Sequence, residues 1–313
     1  MSAATPYDIM RASGTREDVN VVMRIAIVSD IHGNLPALEA VLHDLARVQP
    51  DRVYVNGDVV NRGPQSKECL DRVRALGWPV VFGNHEEYVL KFRHGAWGED
   101  GQSPFWLPVR CVAEEELTAD DIAYLERLPH SRIIALPGLP HIRLVHGSMR
   151  ALNEGLGPWM DDEALLAAVD GAPEPVVIGA HTHRPFERRV GARWVLNSGA
   201  VGMPYNGNPA AQYLLMEGRD GDWRAEFRAV PYDRAPVYEA WARTGYLEVS
   251  MAARLMVYEL ETATYHFGPY FDFCEQHGFD RNDPDAFAAY WRASRDTPPG
   301  RAVHNHVPRD DSR

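Results

Sequence analysis

The sequence predicts an α/β (α+β) protein in which helices cover β-sheets and a smaller helical region follows. From Met23 onward, short apolar runs alternate with amphipathic stretches, as strands and their covering helices do. Residues 187–230 instead alternate apolar and polar side chains between glycine-containing turns, a pattern typical of antiparallel strands. After Pro231, apolar residues recur at helical spacing, which predicts further helices.

Each predicted element has a local reason. The helix at 35–48 carries an apolar stripe, the spacing of one buried helix face, formed by Leu38, Val41, Leu42 and Leu45. Short apolar runs predict buried strands at 24–29, 52–56, 79–82, 141–145 and 176–179. Amphipathic spacing predicts the other helices at 67–76, 85–92, 119–128, 162–169, 235–242, 249–260 and 284–293.

The same pattern divides the chain into four parts. Residues 1–22 form a leader, which is either a loose extension or an ordered arm. Residues 23–231 form the main domain, and a less regular insertion at 95–140 is expected near its active site. A helical appendage at 232–296 and a Pro-rich, polar tail at 297–313, expected to fray, complete the chain.

Composition indicates an ordinary globular protein of 313 residues, with 45% apolar and 24% charged residues. No apolar run reaches the roughly 18 residues of a membrane span, and the N-terminus lacks the apolar core of a signal peptide. We therefore expect a cytoplasmic protein without membrane contact. Three scattered cysteines argue against a disulfide framework or a cysteine zinc site. The net charge of −12 argues against a nucleic-acid polymer as partner.

Five polar clusters share one position, because each follows directly after an apolar run that predicts a strand. In an open α/β sheet the carboxyl ends of the strands face a common crevice, so residues distant in sequence meet there. Any one of these clusters alone is better explained as a turn, but five in order indicate a single site. The residues expected to converge are Asp30, His32, Asp58, Asn84, His85, His146, His181 and His183.

The types of these residues indicate a metal centre. Aspartate, asparagine and histidine without cysteine supply mixed oxygen and imidazole ligands, which suit Mn²⁺, Fe, Zn²⁺ or Ni²⁺. Two divalent ions would bring four positive charges, against two negative charges from Asp30 and Asp58. A locally positive site in an acidic protein predicts an anionic substrate.

The same residues carry a family resemblance. The motifs D-x-H, G-D-x-x-N-R-G, G-N-H-E, H-G and G-x-H-T-H, in this order, resemble those of the calcineurin-like metallophosphoesterase superfamily. The segments SDIHGNLPALEAVL and NSGAVGMPYNG are similar to its smaller bacterial branch of phosphodiesterases and phosphatases. The resemblance covers roughly residues 23–231. It implies a sandwich of two mixed β-sheets flanked by helices, and a dinuclear centre for which manganese is expected first.

The resemblance also implies which residues bind each ion. The first ion would be bound by Asp30, His32, His183 and a bridging Asp58. The second would be bound by the same bridge together with Asn84, His146 and His181. Chemically, two ions about 3.5–4 Å apart favour in-line attack of a bridging hydroxide on phosphorus.

Further residues would act on the substrate. The resemblance makes His85 the proton donor to the leaving group, beside the catalytic Asp58, and brings Arg62, Asn61 and Asn84 to the substrate. In related protein phosphatases, the residue three positions after the bridging aspartate is another aspartate, which orients the catalytic histidine. Here it is Asn61. An amide cannot stabilise an imidazolium as a carboxylate does, so His85 would be a weaker acid unless another carboxylate assists it; Glu86 is nearest in sequence.

Several alternatives stay open at this level. A small phosphoester, nucleotide-like, is the expected substrate, whether a dinucleoside polyphosphate, a cyclic nucleotide or a simple monoester. A serine/threonine-type protein phosphatase and a non-catalytic scaffold of the same fold are the rival interpretations, and the complete set of ligand positions favours an enzyme. In the insertion, Trp97, Phe105 and Trp106 would either stack on a nucleobase or pack the insertion onto the domain. The C-terminal helices are a candidate surface for homo-oligomerisation.

Overall fold

The computed structural model describes residues 22–295. Apart from Val22, the predicted leader and the predicted tail lie outside the described residues. Within the described range the strands form two mixed sheets, and helices flank them. The expected two-sheet sandwich is thereby confirmed.

The first sheet contains one parallel and two antiparallel pairs of strands. Strand β1 (Met23–Val28) pairs in parallel with β2 (Arg52–Val55) and antiparallel with β8 (Ala211–Arg219). Strand β8 continues through a tight turn into β9 (Asp222–Val230), its antiparallel neighbour at the sheet edge. The strand order is therefore β2-β1-β8-β9.

The second sheet has a parallel centre and antiparallel edges. Strands β4, β5 and β7 run in parallel, with β3 antiparallel at one edge and β6 antiparallel at the other. Its members in spatial order are β3 (Ser131–Ile134), β4 (Ile142–Val145), β5 (Val176–Gly179), β7 (Arg193–Asn197) and β6 (Phe186–Val190).

The helices form a cover over the sheets and a C-terminal group. The covering helices are α1 (Leu35–Val48), α2 (Ser66–Leu76), α3 (Asn84–Arg93), α4 (Leu107–Cys111), α5 (Ala119–Leu125) and α6 (Asp162–Ala168). The C-terminal group consists of α7 (Ala235–Thr244), α8 (Tyr246–Val249), α9 (Met251–Thr262), α10 (Phe267–His277) and α11 (Pro284–Arg295). Among the described residues, no helix is both long and apolar enough to span a membrane.

The core follows the two-residue period of the strands. On β1, Ile25 and Ile27 point between the sheets and contact the apolar face of the second sheet. The alternate residues Ala26 and Val28 face the helices, where one continuous cluster joins α1 and α2 to the C-terminal helices. On the far side of the second sheet, α6 covers a third cluster. The layers are therefore helices, sheet, sheet and helix.

The structure corrects several predicted elements. The segment predicted as a strand at 79–82 makes one β-bridge, between Val80 and Val55, and no strand forms there. Strand β3 lies inside the insertion expected to be irregular. The prediction missed this strand because its apolar run is short and half exposed at a sheet edge. The helix predicted at 249–260 is interrupted at Ser250, whose hydroxyl caps α9 by accepting a hydrogen bond from the Ala253 N–H.

Candidate functional site

The predicted site residues lie together where the parallel strands end. Strands β1 and β2 of the first sheet and β4 and β5 of the second sheet all terminate at this edge. Asn56 ties the two sheets together, because its side-chain amide donates to the carbonyls of Val145 (2.8 Å) and Ile178 (3.2 Å). The residues that follow these strand ends, or open α3, are Asp30, His32, Asp58, Asn84, His85, His146, His181 and His183.

The backbone of the site is unusual. Ten non-glycine residues in the described range have positive φ, and seven of them belong to the loops of this site. A left-handed conformation costs an L-residue about 1–2 kcal/mol, and such residues concentrate at functional sites. This backbone conformation directs the side chains of these residues into the site. The seven residues are Asp30, His32, Asp58, Asn61, Arg62, His181 and His183.

Two glycines allow the loops to approach this closely. A Cβ atom on Gly83 would lie 2.2 Å from Asp58 Oδ1, and one on Gly57 would lie 2.4 Å from His146 Nδ1. Both distances are far below van der Waals contact. These two positions therefore require glycine, since any side chain would displace a residue of the site.

One group of four side chains brings nitrogen and oxygen lone pairs together. His183 donates from Nδ1 to the carbonyl of Met203, so its Nε2 carries a lone pair when the ring is neutral. That Nε2 lies 3.1 Å from His32 Nε2 and 3.3 Å from Asp30 Oδ1. His32 Nε2 is also 3.6 Å from Asp58 Oδ2. Such a convergence of acceptors requires a proton or a cation between them.

A second group repeats the arrangement around Asp58. His146 donates from Nδ1 to the Asn56 carbonyl at 2.8 Å, which directs its Nε2 into the site. That Nε2 lies 2.9 Å from Asn84 Oδ1 and 3.2 Å from Asp58 Oδ2. Asn84 Oδ1 is in turn 2.8 Å from His181 Nδ1.

These residues fit a pair of metal ions. Asp30 and Asp58 are fully buried, and both oxygens of Asp30 and Oδ2 of Asp58 have no hydrogen-bond partner among the described residues. Buried carboxylates are normally hydrogen-bonded or paired with a cation. Within each group the Asp and His ligand atoms lie within 4.8 Å of one another, and Asp58 belongs to both groups. The donor set is the mixture of oxygen and imidazole that transition metals prefer.

Charge couples the members of the site. Burial opposes ionisation of Asp58, but its histidine neighbours, first among them His146, hold the pKa of its carboxyl well below its usual range. Burial alone would lower the pKa of His146, but Asp58 raises it to about 10. Burial and the charge of His146 lower the pKa of His181 to about 3. In the metal-free protein, Asp58 and His146 therefore form an ion pair, and a metal must displace the His146 proton.

Glu86 supports the loop that carries Asp58 rather than assisting His85. Its carboxylate accepts hydrogen bonds from the backbone N–H groups of Asp58 (2.8 Å), Val59 (2.8 Å) and Gly83 (2.9 Å). Burial and the charge of Asp58 raise the pKa of Glu86 to about 7. Glu86, the carboxylate nearest to His85 in sequence, thus fixes the Asp58 loop and does not assist His85.

His85 lies between Asn61 and Arg62. Its Nδ1 is 2.8 Å from Asn61 Nδ2, and its Nε2 accepts a hydrogen bond from Arg62 Nε at 3.2 Å. The His85 backbone N–H donates to Asp58 Oδ1 at 2.9 Å. Burial and the charge of Arg62 lower the pKa of His85 well below its usual range, although Asp58 opposes this. The ring is therefore neutral in the free protein.

The aromatic residues of the insertion contribute to packing. Phe105 and Trp106 are buried in the core, and Phe105 contacts the rings of Phe267 and Phe271 on α10. Trp97 stacks on Phe92 with ring centroids 4.3 Å apart. Of the two interpretations of these residues, the structure favours packing.

One residue of the site, Glu259, escaped the sequence analysis, whereas Tyr205 lies in the NSGAVGMPYNG segment singled out there. Glu259 on α9 and Tyr205 both contact the guanidinium of Arg62. A signal for Glu259 exists in the sequence, because it lies one helical turn from Leu255 and Met256 on the apolar face of α9. A carboxylate on a buried helix face needs a cationic or hydrogen-bonding partner.

Comparison with known proteins agrees with this geometry. The family described as "Metallophos: Calcineurin-like phosphoesterase" matches residues 23–185, which is more than half of the chain. The crystal structure of a metallophosphoesterase from Sphaerobacter thermophilus is similar, with a TM-score of 0.62 and 28% sequence identity. That similarity covers 77% of this chain and 100% of the other.

Two curated relatives carry names that describe phosphoester hydrolysis. Phosphodiesterase YfcE of Escherichia coli is 26% identical over 195 residues, which is 62% of this chain and 88% of the relative. A symmetrical bis(5'-nucleosyl)-tetraphosphatase of Coxiella burnetii is 32% identical over 164 residues, half of this chain and 52% of the relative. The dinuclear metal dependence of the family agrees with the two candidate ligand groups. The chain belongs to the calcineurin-like phosphoesterase family and is a hydrolase of phosphoesters.

Proposed function

We propose that this protein hydrolyses small, nucleotide-like phosphodiesters or phosphomonoesters at a site that holds two divalent metal ions. The observation that carries the proposal is the convergence of acceptor atoms around Asp58, together with the unpartnered oxygens of Asp30. Two cations shared through Asp58 would satisfy every one of these acceptors. The names of the phosphodiesterase and tetraphosphatase relatives support a nucleotide-like substrate.

The ligand roles in this proposal follow the two groups. The first ion would be held by Asp30, His32, His183 and Asp58. The second would be held by Asp58, Asn84, His146 and His181. When bound, two such ions supply Lewis-acid catalysis, lowering the pKa of water and neutralising charge on the phosphoryl oxygens. Hydrogen bonds from Nδ1 of His146 and His183 to backbone carbonyls direct Nε2 of each ring toward the proposed ions.

His85 and Arg62 would act on the substrate. In the free protein, Arg62 Nε donates to His85 Nε2, so this nitrogen has no proton to give. When a phosphoryl oxygen replaces His85 as the acceptor of the Arg62 Nε–H, His85 Nε2 would be free to take up a proton from water and to pass it to the leaving oxygen. Asn61 would hold the opposite nitrogen of the ring, and Asn84 would contact substrate next to the second ion.

The burial of the site supports a small substrate over a phosphorylated protein segment. Each residue proposed to bind a metal ion or the substrate is at most 9% exposed, and His181 is the most exposed of them. Arg62 is 4% exposed and His85 6%. A folded phosphoprotein would need a wider approach to these groups than a nucleotide does.

Hydrolysis assays test the proposal directly. With added Mn²⁺ we expect turnover of bis-p-nitrophenyl phosphate and p-nitrophenyl phosphate, both followed by absorbance. A panel of dinucleoside polyphosphates, cyclic nucleotides and mononucleotides, followed by phosphate release and chromatography, then identifies the preferred class. No turnover of any of these compounds with any divalent metal, in a folded protein, would overturn the proposal.

Three finer predictions belong to this proposal. Manganese is expected to give the highest activity, with iron, zinc and nickel as alternatives, and elemental analysis of the purified protein tests this. Homo-oligomerisation through the C-terminal helices stays a prediction, which light scattering checks. A cytoplasmic location likewise stays a prediction, which cell fractionation checks.

A further inference from the structure

The C-terminal helices deliver a buried carboxylate to the arginine of the site. Glu259 lies on α9, outside the part of the chain that matches the family, and has no solvent-exposed surface. Its Oε2 accepts a hydrogen bond from Arg62 Nη1 at 2.7 Å. The two residues are 197 positions apart in sequence.

Glu259 is also tied to its own region. Its Oε1 accepts hydrogen bonds from the backbone N–H groups of His266 (2.6 Å) and Phe267 (3.2 Å), where α10 begins. The Phe267 ring in turn lies beneath the Arg62 guanidinium, with its centroid 4.6 Å from Cζ. One carboxylate therefore joins the α9–α10 junction to Arg62.

Tyr205 completes the contact. Its hydroxyl donates to Glu259 Oε2 at 2.7 Å and accepts from Arg62 Nη1 at 2.9 Å. The ring of Tyr205 stacks on His183, with centroids 4.3 Å apart and planes 13° from parallel. Both Nη1 protons of Arg62 are thus used by Glu259 and Tyr205, while its Nε proton is directed at His85.

We infer that Glu259 is a positioning residue of the active site, which orients the Arg62 guanidinium beside His85 so that it meets the phosphoryl oxygens of the substrate. Arg62 has left-handed backbone (φ 66°), as do the neighbouring candidate ligands Asp58 and His183. The guanidinium is planar, so fixing Nη1 and Nε fixes the direction of the whole group. The effect of Glu259 on catalysis rests on the proposed function.

The variant Glu259→Gln separates positioning from packing. The glutamine amide has the same shape as the carboxylate, but its single oxygen can accept from either Arg62 or the His266 and Phe267 N–H groups. Its NH₂ then faces the other set of donors, with which it cannot form hydrogen bonds. We expect kcat/KM for bis-p-nitrophenyl phosphate to fall about tenfold, since a displaced catalytic group typically costs one to two orders of magnitude. Glu261→Gln, on an exposed position of the same helix, is the matched control and should stay within about twofold.

A double-mutant cycle with Arg62→Ala makes the test specific. If Glu259 acts through Arg62, Glu259→Gln causes no further loss in the Arg62→Ala background. Equal losses in both backgrounds, or activity equal to that of Glu261→Gln, would overturn the inference. Should Glu259→Gln fail to fold, Glu259→Asp keeps the charge but withdraws the carboxylate by one methylene, and wild-type activity there would also overturn it.

A measurement without turnover keeps this inference separate from the proposed function. In metal-free protein, the Arg62 Nε–H signal in ¹⁵N NMR can be assigned by its loss in Arg62→Lys. We expect its proton to exchange at least about tenfold faster with water in Glu259→Gln than in Glu261→Gln, because the guanidinium is released. Unchanged exchange would overturn the inference, whereas an inactive wild-type protein would overturn only the proposed function.

Discussion

Two buried carboxylate clusters of this protein have opposite surroundings. Asp44 on α1 is 3% exposed, and its oxygens accept hydrogen bonds from Arg228 Nε (2.9 Å), Tyr213 Oη (2.8 Å) and Arg47 Nη2 (2.8 Å). Asp30 is fully buried, and neither of its oxygens has a hydrogen-bond partner among the described residues. The protein satisfies one cluster by itself and leaves the other incomplete.

This difference separates structural charge from functional charge. A buried carboxylate with two arginines and a tyrosine needs no further cation, so Asp44 serves to hold α1 on β8 and β9. A buried carboxylate that accepts no hydrogen bond, such as that of Asp30, raises the free energy of the folded state until a cation binds. The left-handed backbone at Asp30, His32 and Asp58 adds strain to the same place, whereas no residue of the Asp44 cluster has positive φ.

Removing the shared carboxylate should have the largest effect. We expect Asp58→Asn to lose both metal ions and at least about a thousandfold in kcat/KM, because the charge of Asp58 serves both ligand groups. The amide keeps the hydrogen bond from the His85 N–H, so the loop retains its shape. Metal content after dialysis against Mn²⁺, measured by mass spectrometry, checks the cause. A variant that keeps both ions would contradict the ligand assignment.

Removing His85, the proposed proton donor, should have a smaller and more selective effect. We expect His85→Ala to keep its metals but to lose about 10²–10⁴-fold on alkyl phosphoesters, whose leaving oxygens need a proton. On nitrophenyl esters, whose nitrophenolate leaves without a proton, the rate should fall by less than about tenfold.

The exposed His94 supplies the matched control for that variant. Its Nε2 lies 3.0 Å from the carboxylate of Glu126, which is also exposed, and His94→Ala should therefore leave rates unchanged. Equal losses of His85→Ala on both classes of ester would argue that His85 orients Arg62 instead of transferring a proton.

The site was readable from sequence because its residues share one local rule. Asp30, Asp58 and His146 each follow a buried strand, and parallel strands bring their carboxyl ends together without any knowledge of side-chain packing. The tautomers at His146 and His183 were not readable, because backbone carbonyls of Asn56 and Met203 set them.

What the sequence did not predict depends on distant contacts. The partner of Glu259 lies 197 positions away, and no local pattern names it. Helix α10 contains Gly268 and Pro269, which disfavour helices in isolation, yet burial of Phe267 and Tyr270 stabilises it. Strand β3 lies at the edge of the second sheet, next to β4. Local propensity decides least where tertiary packing contributes most.

The smallest expected effect concerns stability rather than activity. Burial alone would raise the pKa of Asp44, but hydrogen bonds from Arg228, Tyr213 and Arg47 lower it from 3.8 to about 2. A folded pKa below the unfolded one means that ionised Asp44 stabilises the fold above about pH 4, by about 2 kcal/mol. This contribution falls to about half near pH 3 and vanishes below the folded pKa.

Asp44→Asn should therefore lower the free energy of unfolding by about 2 kcal/mol at pH 7, measured in urea, with activity per folded molecule unchanged. The gap to wild type should narrow as the pH falls from about 4 toward 3. Asp71→Asn is the control, because Asp71 is 55% exposed and pairs with Lys67 at the surface, where an ion pair contributes at most about 1 kcal/mol. A gap that stays constant with pH would show that the hydrogen bonds, and not the charge of Asp44, hold α1 in place.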